Sequence, residues 1–195
     1  MREENLVIMK RWKYVFFISI AIASLLAACS GSPQETTDND SSANDDNDAE
    51  AFIVEIDAVV DALQNPDDWV VIDVRTPEEY SGESRLPNAF GSGRLKGSVN
   101  VARELLFDAD GELIASEEIV RLFDFIGNKK AIVYCHGGVR STIVWEVLVD
   151  LGFDVYNYTG SWIDWSGAAT VANGSPNEVV LSLTEAWTDN EGVIE

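Results

Sequence analysis

Positive charge is scarce in this chain, and histidine and cysteine are scarcer. Of 195 residues, 13 are lysine or arginine against 34 aspartate or glutamate, a net charge of −21 at pH 7. Such a surface excludes nucleic acid, which is gripped chiefly by neutralising its phosphates. One histidine and two cysteines fall short of the Cys and His ligand sets of a structural zinc site, and two cysteines are too few for a disulfide-stapled scaffold. No internal repeat is visible, so solenoids and propellers fall away. The one long apolar run, "YVFFISIAIASLLAA" from Tyr14 to Ala28, is shorter than the roughly 20 residues that a spanning helix needs.

That run has another grammar. Lys10, Arg11 and Lys13 precede it and small residues end it at Leu26-Ala27-Ala28-Cys29, the order of a secretory signal peptide over residues 1–28. Met9 is an equally good start. The last four residues resemble the lipobox of bacterial lipoproteins, which implies cleavage before Cys29 and acylation of its sulfur. Several acyl chains, at about 0.8 kcal/mol per buried methylene, hold a protein on a membrane almost permanently. The alternative is an ordinary signal or an uncleaved anchor with a coincidental cysteine. Residues 29–50 then form a lipidated cysteine and a tether. After Cys29 this stretch is rich in acids and has no aromatic or branched aliphatic side chain, so it has nothing with which to form a core and should be extended by self-repulsion. The expected location is the cell envelope, lipid-anchored at the outer membrane or the outer face of the plasma membrane, with the domain outside the cytoplasm.

The folded part is expected at 51–168. "EIDAVVDAL" at 55–63 has helical spacing. "WVVIDV" at 69–74 and "AIVY" at 131–134 are continuous apolar runs of the kind buried in parallel sheets. Thr76, Pro77 and Glu79 spell a helix start with a capping box. A loop is expected from Ser81 to Gly93, short strands at 97–101 and 154–158, and helices at 116–127 and 141–152, the first capped by Ser116. Strands alternating with helices predict an α/β fold with a central, mainly parallel sheet covered on both faces. The tail, 169–195, contains an apolar patch at 179–183 and is left without a place.

One loop carries chemistry. In "AIVYCHGGVRST", 131–142, a strand ends in Cys135, and Gly137 and Gly138 let the backbone curl before a helix. N–H groups converging above a helix N-terminus form an anion cradle, and the same field lowers a thiol's pKa and raises its attacking fraction. Arg140 adds a fixed charge with a fork of donors suited to oxyanions. The plainer alternative is a buried structural cysteine before a glycine turn.

Four segments in order make the chain similar to a rhodanese domain over 52–167: "VVIDVRTPEEY", "GRLKGSVNV", "YCHGGVRS" and "GSWIDW". The segments "SGESRLPNAFGSGR" and "DADGELIASEEI" look most like the catalytic half of two-domain thiosulfate and mercaptopyruvate sulfurtransferases. The resemblance implies a rhodanese-like three-layer fold and sulfane-sulfur transfer with no cofactor. Cys135 would take sulfur from a small anionic donor such as thiosulfate, become a persulfide, and pass the sulfur to cyanide or a thiol. It also implies that the backbone N–H groups of His136, Gly137, Gly138, Val139 and Arg140 hold the persulfide, with Arg140 touching the donor anion and Asp73, Arg75 and Ser141 in support. Asp73 and Arg75 are read as mainly architectural, the His136 backbone as more important than its ring, and Trp162 and Trp165 as core and pocket wall. Arg94 and Lys96 stand where the family commonly has histidine and proline, and add positive charge if they face the site. Two rivals remain. Related phosphatase and arsenate reductase loops hold five residues between cysteine and arginine where this one holds four. A non-catalytic rhodanese-like binding module on the cell envelope is the other.

Overall fold

The computed structural model describes residues 52–170, 176–189 and 192–193, with side chains described up to residue 186. The signal sequence at 1–28, Cys29 and the 29–50 tether lie outside the described residues. Among the described residues, no helix is long and apolar enough to cross a membrane.

The chain runs α1 (Ile56–Gln64), β1 (Trp69–Asp73), α2 (Pro77–Ser81), β2 (Gly91–Leu95), β3 (Val99–Asn100), α3 (Ser116–Leu122), β4 (Lys130–Tyr134), α4 (Val139–Asp150), β5 (Val155–Asn157), α5 (Ser161–Ala169), α6 (Glu178–Ser182), β6 (Thr184–Asp189) and β7 (Gly192–Val193). Short 3-10 turns occupy Arg103–Leu106 and Asp124–Ile126. The central sheet has the order β3-β1-β4-β5 with every pairing parallel. Its register sets Asp73 beside Tyr134, one residue before Cys135.

Period-two alternation sorts the strands into two cores. Ile72 and Val74 of the β1 segment, with Ala131, Val133 and Cys135 of the β4 segment, face Ile119 of α3 and Val144 and Leu148 of α4. Val71, Ile132 and Tyr134 face Val59 of α1, Trp162 and Trp165 of α5, and Val180 of α6. The result is the three-layer α/β arrangement, with helices on both faces of a parallel sheet. Cys135 and Tyr134 therefore look in opposite directions.

Three expectations are corrected. The helix predicted over 116–127 ends at Leu122 and continues as a 3-10 turn, because Phe123 N–H bonds Val120 and tightens the last turn. Its cap is Ala115, with Ser116 already helical. The loop expected from Ser81 to Gly93 contains the start of β2, whose antiparallel partner is β6 of the tail. That pairing needs a close backbone approach: Gly93 has φ +136°, and a Cβ there would lie 2.6 Å from the Glu185 carbonyl. The apolar patch at 179–183 therefore has a place after all, as α6 with Val180 fully buried.

Candidate functional site

Cys135 follows β4 at the carboxyl end of the sheet, where parallel α/β folds keep their ligand crevices. The loop that follows is clamped from two sides. Two N–H groups of the first turn of α5, which have no partner within the helix, bond loop carbonyls: Trp162 N to Cys135 O and Ile163 N to His136 O, both at 3.0 Å. On the other side Gly138 caps α4 at φ +89°, and a Cβ there would stand 2.7 Å from Thr159 O. Only glycine fits. The helix predicted to start at Ser141 begins two residues earlier, at Val139, for this reason.

The curl brings donors to the sulfur. Gly138 N lies 3.2 Å from Sγ, and the N–H groups of Gly137 and Ser141 act on it electrostatically. Ser161 Oγ lies 3.8 Å away. Burial alone pushes the Cys135 thiol up, but the polar groups of Ser141, Ser161 and Gly137 around the sulfur outweigh it and leave the thiol below its ordinary 9.0. The positive end of the twelve-residue α4 lies under the same atom. Only 1% of Cys135 is exposed, so a reactant must bring a narrow terminal atom into the loop.

The predicted residues separate into groups. Gly137, Gly138 and Ser141 gather at Sγ. His136 turns its ring outward, Nε2 lying 3.0 Å from Pro87 O, and Val139 exposes 74% of its surface. The Arg140 guanidinium binds both oxygens of Glu79, at 2.7 and 2.8 Å. Asp73 and Arg75 lie away from the thiol, in the opposite core: Arg75 bonds both Asp73 oxygens and Gly93 O, and stacks 4.6 Å from the Trp162 ring centroid. Trp162 and Trp165 are core residues whose Nε1 groups bond Gly91 O and Thr184 Oγ1. Arg94 is paired with Glu185 of β6 and stacked on Tyr80, so the tail, not the site, receives it; the backbone N–H of the exposed Lys96 bonds Leu183 O.

Two site residues escaped the sequence reading. Glu79 makes the expected capping box with Thr76, yet it also reaches Arg140. Ser161, at φ +55°, is a buried non-glycine residue in the left-handed region, a strain of about 1 kcal/mol or more. It is held there because its hydroxyl accepts the Cys135 N–H and donates to Tyr158 O. The "GSW" segment carries the signal, a serine between a glycine and the buried Trp162. Among the described residues no cluster of three potential metal ligands exists. A cleft lined by Asp67, Trp69, Phe125 and Lys129 lies at the amino ends of β1 and β4, the opposite end of the sheet from Cys135.

The rhodanese-like domain family matches residues 57–168, more than half of the chain. The chain belongs to this family. The curated protein "Putative thiosulfate sulfurtransferase SseA" of Mycobacterium bovis is 37% identical over 130 residues, covering 62% of this chain and 42% of that protein. Its namesake in Mycobacterium tuberculosis is 38% identical over 110 residues, 52% of this chain and 37% of its own. This rhodanese-like chain thus spans less than half the length of these relatives. Among solved structures, the anaerobic ergothioneine biosynthesis enzyme from Chlorobium limicola, in complex with trimethyl histidine, aligns at TM-score 0.57 and 25% identity, covering 64% of this chain and 32% of that one. A variant of the enzyme EanB, holding ergothioneine covalently linked with a persulfide cysteine, aligns at TM-score 0.57 and 26% identity over 65% of this chain and 33% of its own.

Proposed function

We propose that the chain is a sulfurtransferase that carries sulfane sulfur on Cys135. The observation that carries this reading is the cluster of polar groups around Sγ, led by Gly138 N at 3.2 Å, which holds the thiol below its ordinary pKa in a buried loop at the carboxyl end of the sheet. The thiolate attacks the outer sulfur of thiosulfate or a similar donor. The S–S bond breaks, sulfite leaves with its electron pair, and Cys135 becomes a persulfide. A thiol or cyanide acceptor then removes the outer sulfur, so one transfer is split into two easier steps. The N–H groups that hold the resting sulfur serve the anionic persulfide in the same way. The names of the mycobacterial relatives and the persulfide cysteine of the structural neighbour support this reading.

Incubating the chain with thiosulfate should add the mass of one sulfur atom. The adduct should disappear with cyanide and be absent in Cys135→Ser. A folded chain that never gains the adduct would overturn the proposal in favour of a binding module, the reading that the 1% exposure of Cys135 favours.

We further propose the domain plan of a leader at 1–28, a lipidated Cys29 with an acidic tether to 50, and the catalytic domain at 51–168, held at the cell envelope outside the cytoplasm. Fatty-acid labelling should be lost in Cys29→Ala; labelling that persists removes the anchor.

A further inference from the structure

The tail after residue 168 lies beyond the family's match at 57–168, yet it touches three elements that hold the Cys135 loop. The first is α5, whose Trp162 N and Ile163 N bond the loop carbonyls. In the same helix, Trp165 donates its Nε1–H to Thr184 Oγ1 at 2.9 Å. The Thr184 hydroxyl donates in turn to Val180 O at 2.7 Å, so one oxygen ties α5 to both α6 and β6. The second is β2, whose Gly91 O receives Trp162 Nε1 and whose Leu95 stands opposite Thr184 in the pairing with β6. The third is α2, whose Glu79 binds Arg140. A Cβ on its cap, Gly82, would lie 3.1 Å from Ala186 O, and Arg94, paired with Glu185, stacks on its Tyr80.

These supports are weak by themselves. α2 has five residues, too few to persist without packing, and β2 takes its strand hydrogen bonds from β6. Trp165 is fully buried, where an indole N–H without an acceptor keeps its full desolvation cost. Where β6 meets β2 the register shifts between Ser92 and Arg94, and Ala186 sits at φ +52°, a left-handed value unfavourable for a residue with a Cβ. Bulges and strain of this kind persist where the surrounding contacts hold them, and they gather beside active sites. Placement matters here because a reactant must reach a thiol that is 1% exposed.

Resting on the sulfur-carrier reading above, we infer that the tail at 178–186 is a working part of the site, with Thr184 a positioning residue that fixes α5 and β2 and, through them, the Cys135 loop. The catalytic domain therefore extends past residue 168, and sulfur transfer depends on a hydroxyl that reaches the loop only through these two elements.

The test uses the full chain and two readouts at Cys135, each followed by peptide mass. One is the rate of sulfur addition from thiosulfate. The other is the pH profile of alkylation by iodoacetamide, which needs no sulfur transfer. Thr184→Val keeps the side-chain shape and removes both hydrogen bonds. It should slow sulfur addition about fivefold, short of the roughly hundredfold that a 1 Å misplacement brings, and shift the alkylation profile to higher pH as the loop holds the thiolate less closely. Thr184→Ser keeps the hydroxyl and should restore both. Ile126→Val, at a buried residue beside the cleft at the opposite end of the sheet, lowers stability by a similar amount and should leave both readouts unchanged. Glu185→Gln, at a side chain 37% exposed and so free of folding risk, should slow sulfur addition about twofold. The assignment is overturned, with the sulfur carrier left standing, if Thr184→Val and Glu185→Gln both match the unaltered chain, if Thr184→Ser is as slow as Thr184→Val, or if Ile126→Val is equally slow. An unaltered chain that takes up no sulfur removes the carrier, and the alkylation profile then decides by itself whether the tail positions the thiol.

Discussion

Two arginine–carboxylate pairs, one sealed in the core and one partly exposed, teach different things. Arg75 and Asp73 are 2% and 0% exposed, with a closest contact of 2.6 Å. Arg140 and Glu79 are 19% and 5% exposed, with a closest contact of 2.7 Å. The geometry is nearly the same; the surroundings are not. Arg75 has Gly93 O and the Trp162 and Tyr134 rings around it, and no water to replace a lost partner. Burial opposes its charge, yet Asp73 outweighs that and pushes its pKa up. Arg140 reaches solvent, where its charge is partly screened and is felt by whatever enters the loop. Buried, such a pair is a lock; at a mouth, it sets the local charge.

The comparison breaks most easily at the lock. Asp73→Asn leaves Arg75 charged and uncompensated in the core, which should cost about 3–5 kcal/mol of unfolding free energy by urea denaturation. A loss no larger than that of an Arg140 variant would erase the distinction. Gly138→Ala comes next, at about 2–3 kcal/mol, since the new Cβ forces both a left-handed backbone and a clash with Thr159 O. It should also abolish sulfur loading. Arg140→Gln should cost about 1–2 kcal/mol, limited by the partial exposure of the pair.

The same pair has a pH signature. Burial pushes the Glu79 carboxyl up, but the bonds and charge of Arg140 and the Thr76 N–H outweigh it and leave it below its ordinary 4.5. Its stabilisation is therefore complete above that value and is lost as pH falls through the lowered one. A stability–pH curve should show this acid limb in the unaltered chain, and Arg140→Gln should remove it. The smallest effect is expected for Ser141→Ala. It keeps the N–H near the sulfur and loses the hydroxyl, which braces the loop by donating to Gly138 O at 3.0 Å, so the midpoint of thiolate absorbance should rise modestly from its place below 9.0; no rise would show that this brace does not tune the thiol.

How much of this was legible depended on how local each cause is. β1 and β4 announced themselves because a strand buried on both faces must be apolar throughout, and Thr76-Pro77-Glu79 announced α2 because a capping box is written within four residues. β2 did not. "GSGRL" has weak strand character, and it becomes a strand because β6, nearly a hundred positions later, supplies its hydrogen bonds. The direction Arg94 faces stayed open for the same reason: its partner Glu185 belongs to that distant strand. Within the site, Cys135 and its glycines are contiguous and were read together. Glu79 and Ser161 reach the loop from α2 and α5, and no spacing rule connects them to it.

Alone, the sequence determined the alternation of strands and helices, the thiol at the end of a strand, and the glycines that curl the chain behind it, because each depends on neighbours within one turn. The tertiary structure decided which donors reach the sulfur, which face Arg75 occupies and what holds Arg140. Those outcomes depend on packing that joins residues far apart in the chain, where a few ångströms and the presence or absence of water decide what a charge does.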